Sequence, residues 1–421
     1  MDERVMILLT PLHLTFWLGY SLYSFVIVVS VINIILLNFI KSNHLLDRTS
    51  RPKLLKISYN ITCIVQYATL LLLFITVFEM LAFQNYHRIW SILVIDLSHF
   101  WSAILLGVLA FTFVQWLRIV RTFTILIYAV VFGVILFLTL ITVPLLTEQF
   151  NYQSQLIYPK DYTTLIMAVT VPSEDIAFLY GLGNYVLPIL LIASWFLTVS
   201  ILKPYMTRIN KSIFLLLVSI PLFYQLFAYI IRDANVSTTP GLTDIIYTRQ
   251  FQFILGISYQ ISGLLFAVAY LTVARKMKRK ILKNYMIISS IGIAALFGSL
   301  QPGMPFYAAY PPFGLVTITF LGLSSFLLLL RMLGCAAYVS RDNELRKEIF
   351  KDKDSISSML RNMGYAEMER ELENRIIPLS SRLNLTEDMR IHTDLSQEDL
   401  KLTIEEVLTE IHGPGIKRDG S

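Results

Sequence analysis

Nine long apolar runs recur along the chain, and they constrain its fold more than any other feature. Each is close to the ~20 residues that a helix needs to cross the ~30 Å hydrocarbon core of a bilayer. Inside lipid, backbone polar groups must be bonded within the protein, so lipid-exposed loops and open sheet edges are excluded. We therefore predict an all-α fold, a polytopic transmembrane helix bundle. The predicted spans cover residues 16–40, 57–83, 91–117, 122–146, 177–202, 213–231, 251–273, 285–302 and 311–334.

The composition agrees with a chain that lies mainly in lipid. Hydrophobic residues make up 55% of it and charged residues only 15%, whereas soluble domains average about 25% charged residues. The eighth run is the shortest of the nine and ends in the sequence QPGMP. If that segment is re-entrant, the number of spans falls from nine to eight.

The basic residues of the loops predict the orientation of the bundle, because Lys and Arg concentrate in cytoplasmic loops. Sixteen of them lie in loops 41–56, 118–121, 203–211 and 274–284. The alternate segments, including the N-terminus, carry five. This strict alternation predicts an outer N-terminus and, with nine spans, a cytoplasmic C-terminus in the cell membrane.

The charge pattern divides the chain into two predicted domains. Residues 1–340 form the transmembrane bundle and carry a net charge of +11, whereas residues 341–421 form a tail with 13 Lys and Arg against 18 Asp and Glu. The tail has short amphipathic helices, for example one in which Leu360 and Met363 recur at helical spacing. We expect the basic loops to contact anionic lipid headgroups rather than nucleic acid. The tail is a candidate binding site for a cytosolic protein partner.

Ionisable residues near the outer ends of the second and third spans are the first candidate site. Glu79 lies near the end of one span, and Asp96 and His99 lie three residues apart, on one helix face, at the start of the next. His87 lies in the connecting turn. Two carboxylates and imidazoles at one level can bind a divalent metal or pass a proton. The favoured alternative is that Asp96 and His99 pair locally or reach interfacial water, without any cofactor.

Uncharged polar residues at mid-membrane depth are the second candidate site. They would line a ligand cavity, or equally well form hydrogen bonds between helices. They are Gln66, Gln225, Gln260, Tyr224 and Tyr259. We also expect Arg331, near the predicted end of the ninth span, to extend its guanidinium to the inner headgroups.

No phosphate-binding loop, zinc-protease motif, nucleophile elbow or kinase motif set is present in the sequence. No catalytic residue is assigned, and an enzyme is the less favoured class. The preferred hypothesis is a receptor or sensor-like scaffold that couples an outer-facing bundle to cytosolic helices. The alternatives are a transporter for small solutes or ions, and a metal-dependent intramembrane enzyme that uses the Glu79, Asp96 and His99 group.

The ninth span and its continuation, YPPFGLVTITFLGLSSFLL followed by SRDNELRKEI, carry the one family resemblance in the chain. This segment resembles a family of polytopic archaeal membrane proteins of unknown function. The resemblance implies a location in the cell membrane and brings no ligand or catalytic residue. In layout alone, the chain is similar to the multi-span sensor regions that precede histidine kinases.

Overall fold

The structure of the protein, a computed structural model, is built from helices. It describes residues 16–42, 52–83, 87–154, 174–202, 215–216, 218–223, 260–275, 277, 279–300, 313–342 and 360–372. No strand occurs among these residues, and the predicted all-α fold is confirmed. The helices are α1 (Phe16–Ser42), α2 (Pro52–Phe83), α3 (Arg88–Ile119), α4 (Phe123–Ser154), α5 (Glu174–Leu202), α6 (Gln260–Arg275), α7 (Lys280–Ser299), α8 (Phe313–Ile318), α9 (Phe320–Arg341) and α10 (360–372).

Within the described part of the chain, seven helical segments are long and apolar enough to cross a membrane. They correspond to the first five predicted spans and to the eighth and ninth. The predicted sixth and seventh spans lie partly outside the described residues, and α6 is a shorter apolar helix. Helix α7, at the eighth span, runs for 20 residues, and at ~1.5 Å per residue it matches the thickness of the hydrocarbon core. The protein is therefore a multi-pass membrane protein.

The last span, formed by α8 and α9, is the central helix of the bundle. In its apolar 18-residue window 89% of the residues are buried, compared with 33% to 56% in the other six candidate spans. It packs against α2, α3 and α7. A lipid-facing helix would need an apolar outer surface, whereas this span carries small polar residues, such as Ser324 and Ser325, that are buried between helices.

Two glycines allow α7 and α9 to approach closely. A Cβ atom built on Gly334 of α9 would lie 2.4 Å from the Tyr285 ring of α7. A Cβ atom on Gly292 of α7 would lie 3.1 Å from Leu327 of α9. Small residues at such contacts let two membrane helices pack backbone to backbone, which substitutes for the hydrophobic effect that lipid does not supply.

The predicted position of Arg331 at the inner headgroups is wrong. Its side chain is 0% exposed and lies inside the bundle. The physical reason is the length of α9, which continues to Arg341 rather than ending near residue 334. About 15 Å of helix separates Arg331 from that end at 1.5 Å per residue, half the thickness of the hydrocarbon core.

The chain divides into two compact units, Met1–Met368 and Glu369–Ser421. The first unit contains the bundle together with residues 360–368 of α10. The second begins within α10, whose described residues end at 372. The division into a transmembrane bundle and a cytosolic tail after Ser340 remains a prediction.

Candidate functional site

The predicted outer site contains a compact cluster around Glu79. One carboxylate oxygen accepts a hydrogen bond from the backbone N–H of His87 at 2.8 Å. The other lies 3.1 Å from His87 Nδ1 and accepts a bond from Trp90 Nε1 at 3.0 Å. Since His87 is the N-cap residue of α3, this cluster fastens the end of α2 to the start of α3. Trp90 was not predicted to take part, although its position one turn after His87 is compatible with such a role.

Asp96 and His99 lie further along α3 and do not join this cluster. His99 is 2% exposed, and its Nδ1 lies 2.8 Å from the carbonyl oxygen of Ile95. Because a carbonyl oxygen only accepts, Nδ1 carries the proton and donates it. In the described part of the chain, Oδ1 of Asp96 is buried without a hydrogen-bond partner.

The described residues contain no group of three or more His, Cys, Asp or Glu side chains placed to hold a metal ion. Of the four predicted ligands, the structure brings together Glu79 and His87 and leaves Asp96 and His99 apart from them. The Glu79 carboxylate already receives three donors, so a metal would have to displace His87 or Trp90 to bind it.

The predicted cavity residue Gln66 lies in a buried hydrogen-bond network. Its side-chain amide donates to Asn33 Oδ1 of α1 at 3.1 Å and to the carbonyl oxygen of Thr319 at 2.6 Å. Thr319 separates α8 from α9, and such an interruption leaves carbonyl groups without their usual partners. Ser299 Oγ donates to one of them, Thr317 O at the end of α8, at 2.8 Å, and Gln66 bonds to the residue between the two helices. Gln66 therefore stabilises the interruption in the last span.

The remaining predicted cavity residues are only partly described. Gln260 is half-buried at the start of α6, and Tyr224, Gln225 and Tyr259 lie outside the described residues. A small cleft lies between α5, residues 218–223 and α6. Its lining residues are Leu191, Trp195, Thr198, Val218, Pro221, Leu222, Ser262 and Leu265. Neither Gln66 nor Gln260 belongs to this lining.

The best-defined contact that the sequence did not reveal joins the tail to the bundle. Glu367 of α10 is 0% exposed, and its Oε2 accepts a hydrogen bond from Trp116 Nε1 of α3 at 3.0 Å. Leu360, Met363 and Ala366 are also buried and belong to the main hydrophobic core of the bundle. Residues 360–367 of α10 therefore pack into the core of the bundle.

The backbone of α10 also comes very close to α9. A Cβ atom on Gly364 would lie 2.4 Å from Cγ1 of Val339, so only glycine fits without a shift. Leu360, Met363, Gly364 and Glu367 recur at the spacing of one helix face. The sequence signal was present in this spacing, but a glutamate at the end of an apolar stripe is ordinarily placed in solvent.

Aromatic rings extend the contact from Trp116 into the bundle. The ring of Phe113 packs edge-on against Trp116 at a centroid distance of 5.2 Å. It also stacks on Tyr128 and Phe132 of α4, at 5.3 Å and 5.4 Å. Such pairs contribute about 0.5–1.5 kcal/mol beyond their buried area. The tail contact is thus part of a continuous packed layer that includes α3 and α4.

Helix α3 carries both of these features, one near each end. Trp90 in its first turn contacts Glu79, and Trp116 in its last turn contacts Glu367. At ~1.5 Å per residue a helix of this length spans more than the hydrocarbon core.

Comparison with family models, with curated proteins and with solved structures finds no match for the chain.

Proposed function

We propose that this protein is a sensor-like scaffold of the cell membrane, in which a helix bundle is coupled to helices of a cytosolic tail. The observation that carries the proposal is the buried hydrogen bond between Trp116 of α3 and Glu367 of α10. A tail that only hung below the membrane would keep a glutamate in water. Here the Glu367 carboxylate is buried in the core of the bundle. A change in the packing of the bundle would therefore alter its surroundings.

Favourable and unfavourable contributions to the free energy of docking oppose each other at this contact, which makes it suitable for switching. Burial of an apolar side chain such as Leu360 or Met363 contributes roughly 1.5–3 kcal/mol each. Burial of the Glu367 carboxylate costs several kcal/mol, and hydrogen bonds to it, such as the one from Trp116, each return about 1.5–3 kcal/mol. Because these contributions oppose each other, a rearrangement of α3 at Trp116 would shift the balance between docked and released α10.

The basic turn after α3 supports the proposed orientation. Arg118 and Arg121 flank the end of α3 at which Trp116 meets Glu367. Because basic loops are retained in the cytoplasm, the side of the membrane that holds this turn also holds residues 360–368. We accordingly propose an outer N-terminus, a cytoplasmic tail, and a cytosolic protein partner that binds residues 341–421 when α10 is released.

The alternative functions have less support from the described geometry. A solute transporter would use Gln66 to line a path, but its amide donates to Asn33 and to the Thr319 carbonyl. An intramembrane metalloenzyme would need its ligands at one point, but Glu79 and His87 are separated from His99.

The test of the proposal is whether a change at one end of α3 alters the tail contact at the other. In purified protein, Glu79→Gln weakens the outer cluster with an isosteric side chain, and Trp90→Phe removes the indole N–H and keeps an aromatic ring. We expect hydrogen exchange of residues 360–368 to change several-fold in both variants, because α3 carries the strain to Trp116. Phe111→Leu is the matched control in the same helix and should leave this exchange unchanged, because the Phe111 side chain is 62% exposed.

Unchanged exchange at residues 360–368, in variants whose exchange near residues 79–90 does change, would refute the coupling. The partner is tested separately with a chain that ends at residue 342. This truncation should insert in the membrane as the full chain does and lose the binding of the cytosolic protein.

A further inference from the structure

The guanidinium of Arg331 is a buried charge in the centre of the bundle, and nothing in the proposed coupling uses it. The side chain is 0% exposed. Its Nη1 and Nη2 lie 2.9 Å and 3.4 Å from the thioether sulfurs of Met332 and Met286. The guanidinium carbon lies 4.4 Å from the centre of the Tyr270 ring.

These contacts compensate only a small part of the charge. A methionine sulfur is a weak acceptor, and an aromatic face contributes less than the desolvation of a full charge costs. Arginine has no neutral form in a protein, so the group cannot lose its charge as a buried lysine would. Within the described part of the chain no carboxylate pairs with Arg331; Tyr270, Cys335 and Tyr128 act on it electrostatically, and Tyr270 also through a hydrogen bond.

Hydrogen-bond donors at this position lack acceptors. Nε of Arg331 is buried without a hydrogen-bond partner among the described residues. The hydroxyl groups of Tyr128 and Tyr270 bond to each other, and because only one of the two hydrogens is used in that bond, the other remains available as a donor. A cation and two available donors, one N–H and one O–H, are the groups with which proteins bind anions.

We propose that the Arg331 site binds a small inorganic anion, with chloride as the representative ion. The ligand is small because the residues around the site, Tyr128, Tyr270, Met286, Met332 and Cys335, are at most 1% exposed. The anion accepts from Nε of Arg331 and from the free phenol hydrogen and neutralises the charge of the central helix. This inference is independent of the proposed coupling to the tail.

Thermal unfolding of the purified full chain tests the proposal. The melting temperature Tm is measured in sodium chloride and in sodium gluconate of equal ionic strength, since gluconate is too large for the site. A ligand that binds only the folded state raises Tm with a saturating dependence on its concentration. We expect chloride to raise the Tm of the wild-type protein by a few degrees and to saturate.

Two variants assign the effect to the site. Arg331→Met removes the charge and keeps an unbranched chain of similar length, and Tyr270→Phe keeps the ring and removes one hydroxyl. We expect the chloride-dependent shift to disappear in the first and to weaken in the second. Replacement of a buried charge by an apolar side chain is often tolerated, so Arg331→Met is expected to fold.

Two results would overturn the anion site. One is an equal Tm of the wild-type protein in chloride and gluconate, which is also the result expected if a carboxylate of the chain neutralises Arg331. The other is an undiminished chloride shift in Arg331→Met, which would place the ion elsewhere. If Arg331→Met is not recovered in folded form, Tyr270→Phe decides, and an unchanged shift in that variant overturns the proposal.

Discussion

Replacement of Gly364 by alanine tests whether α10 is docked, because the substitution should stabilise a free helix and destabilise a docked one. In a helix free of other contacts, replacement of glycine by alanine is stabilising by about 1 kcal/mol. In the docked helix, the new Cβ would lie 2.4 Å from Cγ1 of Val339 and 2.9 Å from its Cβ. Distances of this size force a shift, and overpacking of this kind costs about 1–3 kcal/mol. The Gly364→Ala substitution should therefore weaken docking by up to roughly 2 kcal/mol after the gain in helix propensity is subtracted.

Hydrogen exchange of the backbone amides in residues 360–368 measures this effect, because exchange there requires local opening. A loss of about 1–2 kcal/mol corresponds to a fall in protection of roughly 5–30-fold. Val339→Ala removes the atom nearest to the new methyl group, so the double variant with Gly364→Ala should recover part of the protection. Gly133→Ala in α4 is the matched control, since nothing lies within 4 Å of a Cβ atom at that glycine.

An increase in protection at residues 360–368 in Gly364→Ala would refute the reasoning. That outcome would mean that the helix gains alanine propensity without meeting Val339 and that α10 is free of the bundle. A fall in protection that Val339→Ala does not relieve would assign the loss to another contact.

Two further substitutions test the packing of the last span. Gln66→Leu should lower the free energy of unfolding by about 1–3 kcal/mol, since it leaves the acceptors on Asn33 and Thr319 without their donor. Denaturant titration of the purified protein measures this loss. An unchanged midpoint of unfolding would contradict the hydrogen-bond network. Gly334→Ala should lower Tm through its clash with Tyr285, at a cost of about 1–3 kcal/mol. Gly298→Ala, which meets nothing within 4 Å, is the control, and an equal effect in both would contradict the close packing of α7 and α9.

The spans could be predicted from the sequence because the physical requirement is local. A helix in lipid must be apolar for about 20 residues whatever its neighbours are, and so α7 and the other described spans fall where the runs indicate. The interruption at Thr319 is not local in this sense. It depends on Gln66, which lies 253 residues from its partner Thr319, and on Ser299, which lies 18 residues from its partner Thr317. No pattern around residue 319 predicts those hydrogen bonds.

The candidate site was less predictable from the sequence. The position of a charged residue along a span does not identify the side chains that it contacts. Glu79 and Trp90 form their bond across a short turn, so the prediction that Glu79 and His87 lie near each other needed only neighbouring residues. Glu367 lies 251 residues from its partner Trp116. The charged residues around it, such as Glu369, Arg370 and Glu371, are typical of a helix exposed to water. The apolar spacing of Leu360 and Met363 indicated a buried face, but it did not identify the partner or extend that face to a glutamate.

The buried charges Arg331 and Glu367 follow from the central position of the last span. In a bundle whose last helix faced lipid, Arg331 would have to reach the interface, at a cost that depends on its depth. Because α9 is enclosed, its side chain is surrounded by protein groups instead, and the same enclosure brings Val339 against Gly364 of the tail. Helix α9 thus packs against α2, α3 and α7 of the bundle and also against Gly364 of α10. The burial of Arg331 and the contact of Gly364 with Val339 therefore both depend on the enclosure of α9.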